Sequence, residues 1–180
     1  MSVDGRSLRT FIAEMQRRRR VWDALERGGP DEDFAVEPFP LKEFSGRMPE
    51  LNGPVGFSDC KLLRTDWRDA SATGASMNNA TVVDSLFDRA NLDGAQMTTV
   101  RFERCQFLRT GLGAQLRNVT FTDCTFEKTR FGGATFDSVT FERCRLDRVF
   151  MYDVDLASTR VINAQIVGPV FGTADSDLFS

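Results

Sequence analysis

Three thiols at regular spacing are the first groups in this sequence that could do chemistry. Cys105, Cys124 and Cys144 recur at nearly equal intervals, with Cys60 further upstream. Thiolates are soft ligands and redox nucleophiles, so such a column would suit a metal or disulfide exchange. The rest of the composition withholds the partners of that chemistry. The chain has no His, which removes His-dependent triads and His-ligated metals. The four Cys make neither a CxxC pair nor a secreted disulfide framework. Each of the three thiols is followed two residues later by a large apolar side chain, Phe107, Phe126 or Leu146, which is the setting of a small buried hydrophobe. The acid pairs Asp66/Asp69 and Asp153/Asp155 read as solvated surface charge. No catalytic residue, metal or cofactor is assigned, and the chain reads as a non-enzyme.

A repeat positions these side chains. In FTDCTFEKTRFGGATFDSVTF, residues 121–141, a Phe stands at every fifth position. A helix buries residues three or four apart and a strand buries alternate ones, so neither hides all five. The pattern runs from Phe57 to Leu112 and, after a one-residue slip within TGLGAQL, from Leu116 to Phe171. Two residues before each large position sits a small or medium one, and none of these 24 is charged although 27% of the chain is. Residues i−2 and i share one side of an extended stretch. If the chain turns a corner through i+1 and i+2, the next pair also faces inward, and the product is a coil. VRFERCQF (100–107), VTFTDCTF (119–126) and VTFERCRL (139–146) recur at spacings of 19 and 20, so each coil has four sides. About six coils stacked at ~4.8 Å give a rod of roughly 29 Å. Pro169 falls on an inward position, where it removes a ladder donor.

The units ANLDG (90–94), CQFLR (105–109) and CTFEK (124–128) resemble those of the pentapeptide-repeat proteins. That resemblance implies an all-β solenoid, a right-handed quadrilateral β-helix of about six coils over residues 55–173. It fixes function weakly, because members do different things. Some mimic duplex DNA and bind type II topoisomerases such as DNA gyrase, using a strongly acidic rod interrupted by loops. Here residues 55–173 carry 14 acidic and 14 basic side chains, and the irregularity is a deletion.

The ends read differently. Residues 1–54 hold an amphipathic helix at about 7–27, with Leu8, Phe11, Ile12, Met15, Trp22 and Leu25 on one side, and then a Pro-containing strap. Helix and strap are expected to cap the first coil, with 31–54 lying along the uncharged flanks of the rod. The RRRR run at 17–20 reads as a solvated helix face. Residues 174–180 form a tail.

Net charge is −3 and no apolar run approaches the ~18 residues of a membrane span. No signal-peptide core is present, and free thiols suit a reduced, cytoplasmic setting. Low net charge and the lack of interleaved outward aromatics argue against a nucleic-acid partner. The sequence reads as a rigid protein–protein interaction scaffold, and the alternative is a DNA-mimic modulator of a type II topoisomerase. Charge concentrates on two of the four faces, where Arg101, Arg104, Arg143, Arg145 and Arg148 are interface candidates. Outward apolar residues gather late, at Phe150, Tyr152, Ile162, Val167 and Val170. These would serve a protein partner or a homodimer through the C-terminal coils, or the tail with Leu178 and Phe179 would fold back over them.

Overall fold

A chain that must bury positions i−2 and i in every five has to wind, and winding sets equivalent residues one coil apart. A computed structural model describes residues 42–47 and 56–172 of the protein. The helix expected at 7–27, most of the strap and the tail lie outside the described residues.

Parallel strands follow one another around a solenoid of about six turns, and three residues is the commonest strand length. Each strand bonds to the equivalent strand of the neighbouring coil. Phe57 pairs with Met77, Met97 and Leu116 on the first face. Leu62, Val82, Phe102, Phe121 and Phe141 pair on the second. Phe87, Phe107, Phe126 and Leu146 pair on the third. On the fourth, single bridges link Ser71, Asn91, Gly111, Arg130 and Phe150.

The core is a pair of aromatic ladders inside this tube. Phe87, Phe107 and Phe126 stack at 4.8 Å with interplanar angles of 8° and 5°. Phe102, Phe121 and Phe141 stack at 5.0 and 5.1 Å. The two ladders meet edge to face, Phe121 against Phe126 at 5.2 Å and 82°, as ring quadrupoles prefer. The five Phe of 121–141 therefore point inward from the second, third, fourth, first and again second faces.

Every corner needs a sharp turn. Seventeen non-glycine residues among those described have positive φ, nearly all at i+2, including Arg64, Asp84, Arg104, Asp123 and Arg143. Such a conformation costs an L-residue roughly 1–2 kcal/mol. The ladder holds it in place: the amides of Asp84 and Arg104 donate to Glu103 and Thr122 of the next coil at 2.9 Å each.

The one-residue deletion is repaired by Asp93. Its Oδ1 accepts the Gly113 amide proton at 2.9 Å. A Cβ on Gly111 would come within 2.9 Å of that oxygen, and one on Gly113 within 2.8 Å of the Gly132 carbonyl. Two glycines and an aspartate thus stand in for the missing residue.

Both ends depart from the sequence reading. β1 (Lys42–Arg47) precedes β2 (Gly56–Ser58) and pairs in parallel with β3 (Cys60–Asp66), shifting register between Phe44 and Gly46. These six strap residues therefore extend the end of the rod instead of lying along its uncharged flanks, because the open edge of β3 offers unpaired backbone groups. At the far end Leu146 pairs with Ile166 in the regular register, but Val149 and Phe150 pair with Val170 and Phe171, one position later than the period gives. Pro169 is exposed, not inward. A proline cannot donate at a ladder position, so one extra residue is accommodated at Gly168–Pro169. Val170, expected outward, packs against the core. Phe171, expected inward, stacks on Phe150 at 5.0 Å.

Truncating Phe121→Ala removes a ring from the middle of a stack and is expected to cost ~3–5 kcal/mol. Gly113→Ala, which must displace backbone, should cost about 1–3 kcal/mol. Urea denaturation followed by circular dichroism measures both, and a Gly113→Ala protein as stable as the parent would refute the account of the deletion.

Candidate interaction surface

The inward columns are closed to ligands. The thiols of Cys105, Cys124 and Cys144 are buried and donate to backbone carbonyls of the preceding coil: Val82 at 3.4 Å, Phe102 at 3.5 Å and Phe121 at 3.3 Å. Hydrogen bonding with Cys105 holds the Cys124 thiol well above its ordinary pKa, with burial adding to this. Cys144 is raised by Cys124 in the same way. Burial pushes Cys60 up to about 12. These are neutral space-fillers, poor nucleophiles and poor ligands. The same column begins with hydroxyls. Trp67 Nε1 donates to Thr65 Oγ1 at 2.8 Å, Thr65 Oγ1 to Ser85 Oγ at 2.8 Å, and Ser85 Oγ to the Val83 carbonyl at 3.0 Å. That relay satisfies the indole and lets Trp67 be fully buried. Among the described residues no three His, Cys, Asp or Glu side chains converge as a metal site.

Chemistry is left to the outside. On the corner after the second face, Arg64, Asp84, Arg104, Asp123, Arg143 and Asn163 occupy successive coils. Signs alternate, as stacking one coil apart demands. Arg104 bonds Asp84 at 2.7 Å, and Arg143 bonds Asp123 at 2.9 Å and also Glu142. The corner after the third face stacks Arg89, Arg109, Lys128 and Arg148. Acids one residue earlier relieve it: Asp88 pairs with Arg109 at 2.6 Å and Asp147 with Arg148 at 2.8 Å. Asp66 pairs with Arg68 and Asp69 with Arg89, each at 2.6 Å.

The five candidate arginines thus separate. Arg104, Arg143 and Arg148 are engaged in ion pairs within the chain. Arg145 reaches only the Gln165 side chain at 3.5 Å, and Arg101 has no ion pair among the described residues. The difference is column: engaged arginines sit on corners beside acids, and the other two sit mid-face.

The apolar candidates separate as well. Tyr152 is 52% and Val167 46% exposed, while Phe150 and Ile162 are half-buried. Phe150 lies between Phe171 and Tyr152, the latter at 6.4 Å, giving a short outward aromatic ladder on the fourth face. Phe171 belongs to this patch and Val170 does not. The residue missed was Phe171, and the signal that could have found it was the proline beside it. Leu63, Val83 and Leu86 add a second outward apolar group in the first coils, with Val83 only 5% exposed. The first face carries a shallow depression of about 220 Å³ lined by Gln96, Gln115, Thr135 and the Arg117–Asp137 ion pair at 3.2 Å.

A model of the pentapeptide repeat region matches residues 95–171, and one of pentapeptide repeats (8 copies) matches residues 73–104. Together they span more than half of the chain. The sequence matches no curated protein. Solved structures similar to this chain include QnrB1, a plasmid-mediated fluoroquinolone resistance protein, in a trypsin-treated form, at 16% identity over 71% of this chain and 70% of that one, TM-score 0.38. Another is the pentapeptide repeat protein Rfr23 of the cyanobacterium Cyanothece 51142, at 11% identity over 66% and 88% of the two chains, TM-score 0.33. A third is HetL, involved in heterocyst differentiation regulation in the cyanobacterium Nostoc sp. strain PCC 7120, at 12% identity over 87% and 97%, TM-score 0.27.

The corner ion pairs give the rod an acid sensitivity of defined sign. Hydrogen bonds from Arg104, Arg143 and Arg148 hold the Asp84, Asp123 and Asp147 carboxyls below their ordinary pKa. A depressed folded-state pKa contributes stability above the unfolded value that is lost as pH falls through the folded value. Melting temperature is expected to be flat from neutral pH to about 5 and to fall below about 4, less steeply in Asp84→Asn/Asp123→Asn. An unchanged acid slope in that variant would remove these pairs as the cause.

Proposed function

The chain belongs to the pentapeptide-repeat proteins, and from that premise we propose that it works as a non-enzymatic, rigid protein–protein interaction scaffold. One observation carries the reading: the inside of every coil is filled by stacked rings and small side chains, so recognition must occur on the outer faces. A flat parallel ladder holds outward side chains at fixed spacing, which suits a broad protein contact and lowers the ordering cost of binding. The apolar patch of Phe150, Tyr152 and Phe171 is the contact for a protein partner or a second copy, as exposed apolar groups of this kind commonly are. Four free thiols fit a reducing, cytoplasmic compartment.

Tyr152 is exposed enough to change without disturbing the core. The protein immobilised on beads is expected to capture a defined partner from its own cells, and Tyr152→Asp to lose it. Capture unchanged by Tyr152→Asp and by Phe150→Asp would overturn the patch as the contact. The alternative, duplex mimicry toward a type II topoisomerase, calls for an acidic rod, whereas this one is balanced. Micromolar protein is accordingly expected to leave gyrase supercoiling and its inhibition by a quinolone unchanged; protection would reinstate the mimic.

A further inference from the structure

The rod is neutral along its length but polarised across it. The first and fourth faces with their corners hold two basic side chains, Arg117 and Arg130, against five acidic ones, Asp59, Asp93, Asp137, Asp153 and Asp155. The remaining twelve basic and nine acidic residues of residues 56–172 lie on the second and third faces. One side therefore carries a surplus of three positive charges and the other of three negative.

Ion pairing sharpens this. The acids of the second and third faces are nearly all engaged by corner arginines. Lys61, Arg101 and Arg160, in the middle of the second face, Arg145 on the third, and the corner cations Arg64 and Lys128 have no ion pair among the described residues, and all six are exposed. Register places Lys61, Thr81, Arg101, Thr120, Thr140 and Arg160 in one line down the second face, with Glu43 of β1 in register beside Lys61 at its end. Lys61 and Arg101 are two coils apart and Arg101 and Arg160 three, about 10 and 14 Å at the ladder spacing. Hydroxyls fill the steps between the cations.

We propose that this line of free cations and threonines on the second face is the docking surface for an acidic protein partner. The proposal rests on the scaffold reading and names the partner's chemistry. Carboxylates set on a folded or extended polypeptide can meet separate cations two and three coils apart while threonine hydroxyls bond the intervening polar groups. A nucleic acid fits less well. Its continuous phosphates would run against Glu103, Glu142 and the corner aspartates on the same flank, and the two faces offer no outward aromatic ring on which a base could stack. The corner pairs hold those acids in place, so the cations between them remain available.

The test uses the full chain with polyglutamate peptide and duplex DNA as separate fluorescent probes, in low and physiological salt. Two variants of equal net charge are compared, Arg101→Glu/Arg160→Glu on the second face and Arg117→Glu/Arg130→Glu on the other side, each checked by thermal melting. Polyglutamate is expected to bind the parent more tightly than DNA does. Arg101→Glu/Arg160→Glu should weaken it about tenfold or more, and Arg117→Glu/Arg130→Glu by about threefold at most. Equal weakening by both variants would reduce the effect to net charge and overturn the site, as would tighter binding of DNA or no binding of the peptide. Those failures leave the scaffold reading intact, since capture through Tyr152 does not depend on the second face.

Discussion

Everything in this molecule follows from one ladder of backbone hydrogen bonds that repeats once per coil. Each residue is stacked on its equivalent in the coil before, about 4.8 Å away, so no position is chosen alone. A ring must tolerate a ring above it, and Phe107 lies between Phe87 and Phe126 at 4.8 Å on both sides. A charge on a corner must tolerate the next corner, and Arg64, Asp84, Arg104, Asp123 and Arg143 alternate. A left-handed corner is strained singly, yet the ladder amide of the same residue ties it to the following coil. The strain and its support recur with one period, which is why Arg tolerates a conformation usually left to Gly or Asn.

Much of this was legible in the sequence because the inward columns are uniform. A five-residue period, its grouping in fours and a one-residue slip are enough to place Phe57 to Ile166 on their faces. What the period could not show is where it stops. At Gly168–Pro169 the written pattern continues, but proline has no amide to donate, and the register moves by one so that Val170 and Phe171 exchange roles. At the other end the ladder already includes Lys42–Arg47, ahead of any recognisable repeat, because a backbone edge accepts a strand whatever its side chains. The surface was legible only in part. That Arg101 and Arg104 differ in availability depends on partners one coil away, as with Asp84, and a linear reading of VRFERCQF treats them alike.

The inward polar groups show how strict the columns are. The third face admits Thr65, Ser85, Cys105, Cys124 and Cys144 at one position because each side chain finds an acceptor, the Ser85 hydroxyl for Thr65 and a backbone carbonyl for the other four. The fourth face does the same with Thr110 and Thr129, whose hydroxyls reach the Phe87 and Phe107 carbonyls. Where the second-face column of Val100, Val119 and Val139 admits Thr159 instead, that hydroxyl is buried with no partner among the described residues. This occurs in the last full coil, beside the half-buried Val161 and Ile166.

A rod built this way separates stability from recognition more cleanly than a globular domain does. Stability comes from the inward columns and from corner pairs that consume most of the acids. The exposed mid-face cations Arg101, Arg145 and Arg160 neither pack inward nor form an ion pair among the described residues, which leaves them available for recognition. Most of the charge on the corners of the second and third faces is engaged in ion pairs, so its net effect outside is small. The mid-face cations of the second face have no ion pair among the described residues, so they shape the field of that side although residues 56–172 sum to zero. A partner meeting this molecule would sense the unpaired few and not the total, and that makes the column a residue occupies a better guide to its role than its identity.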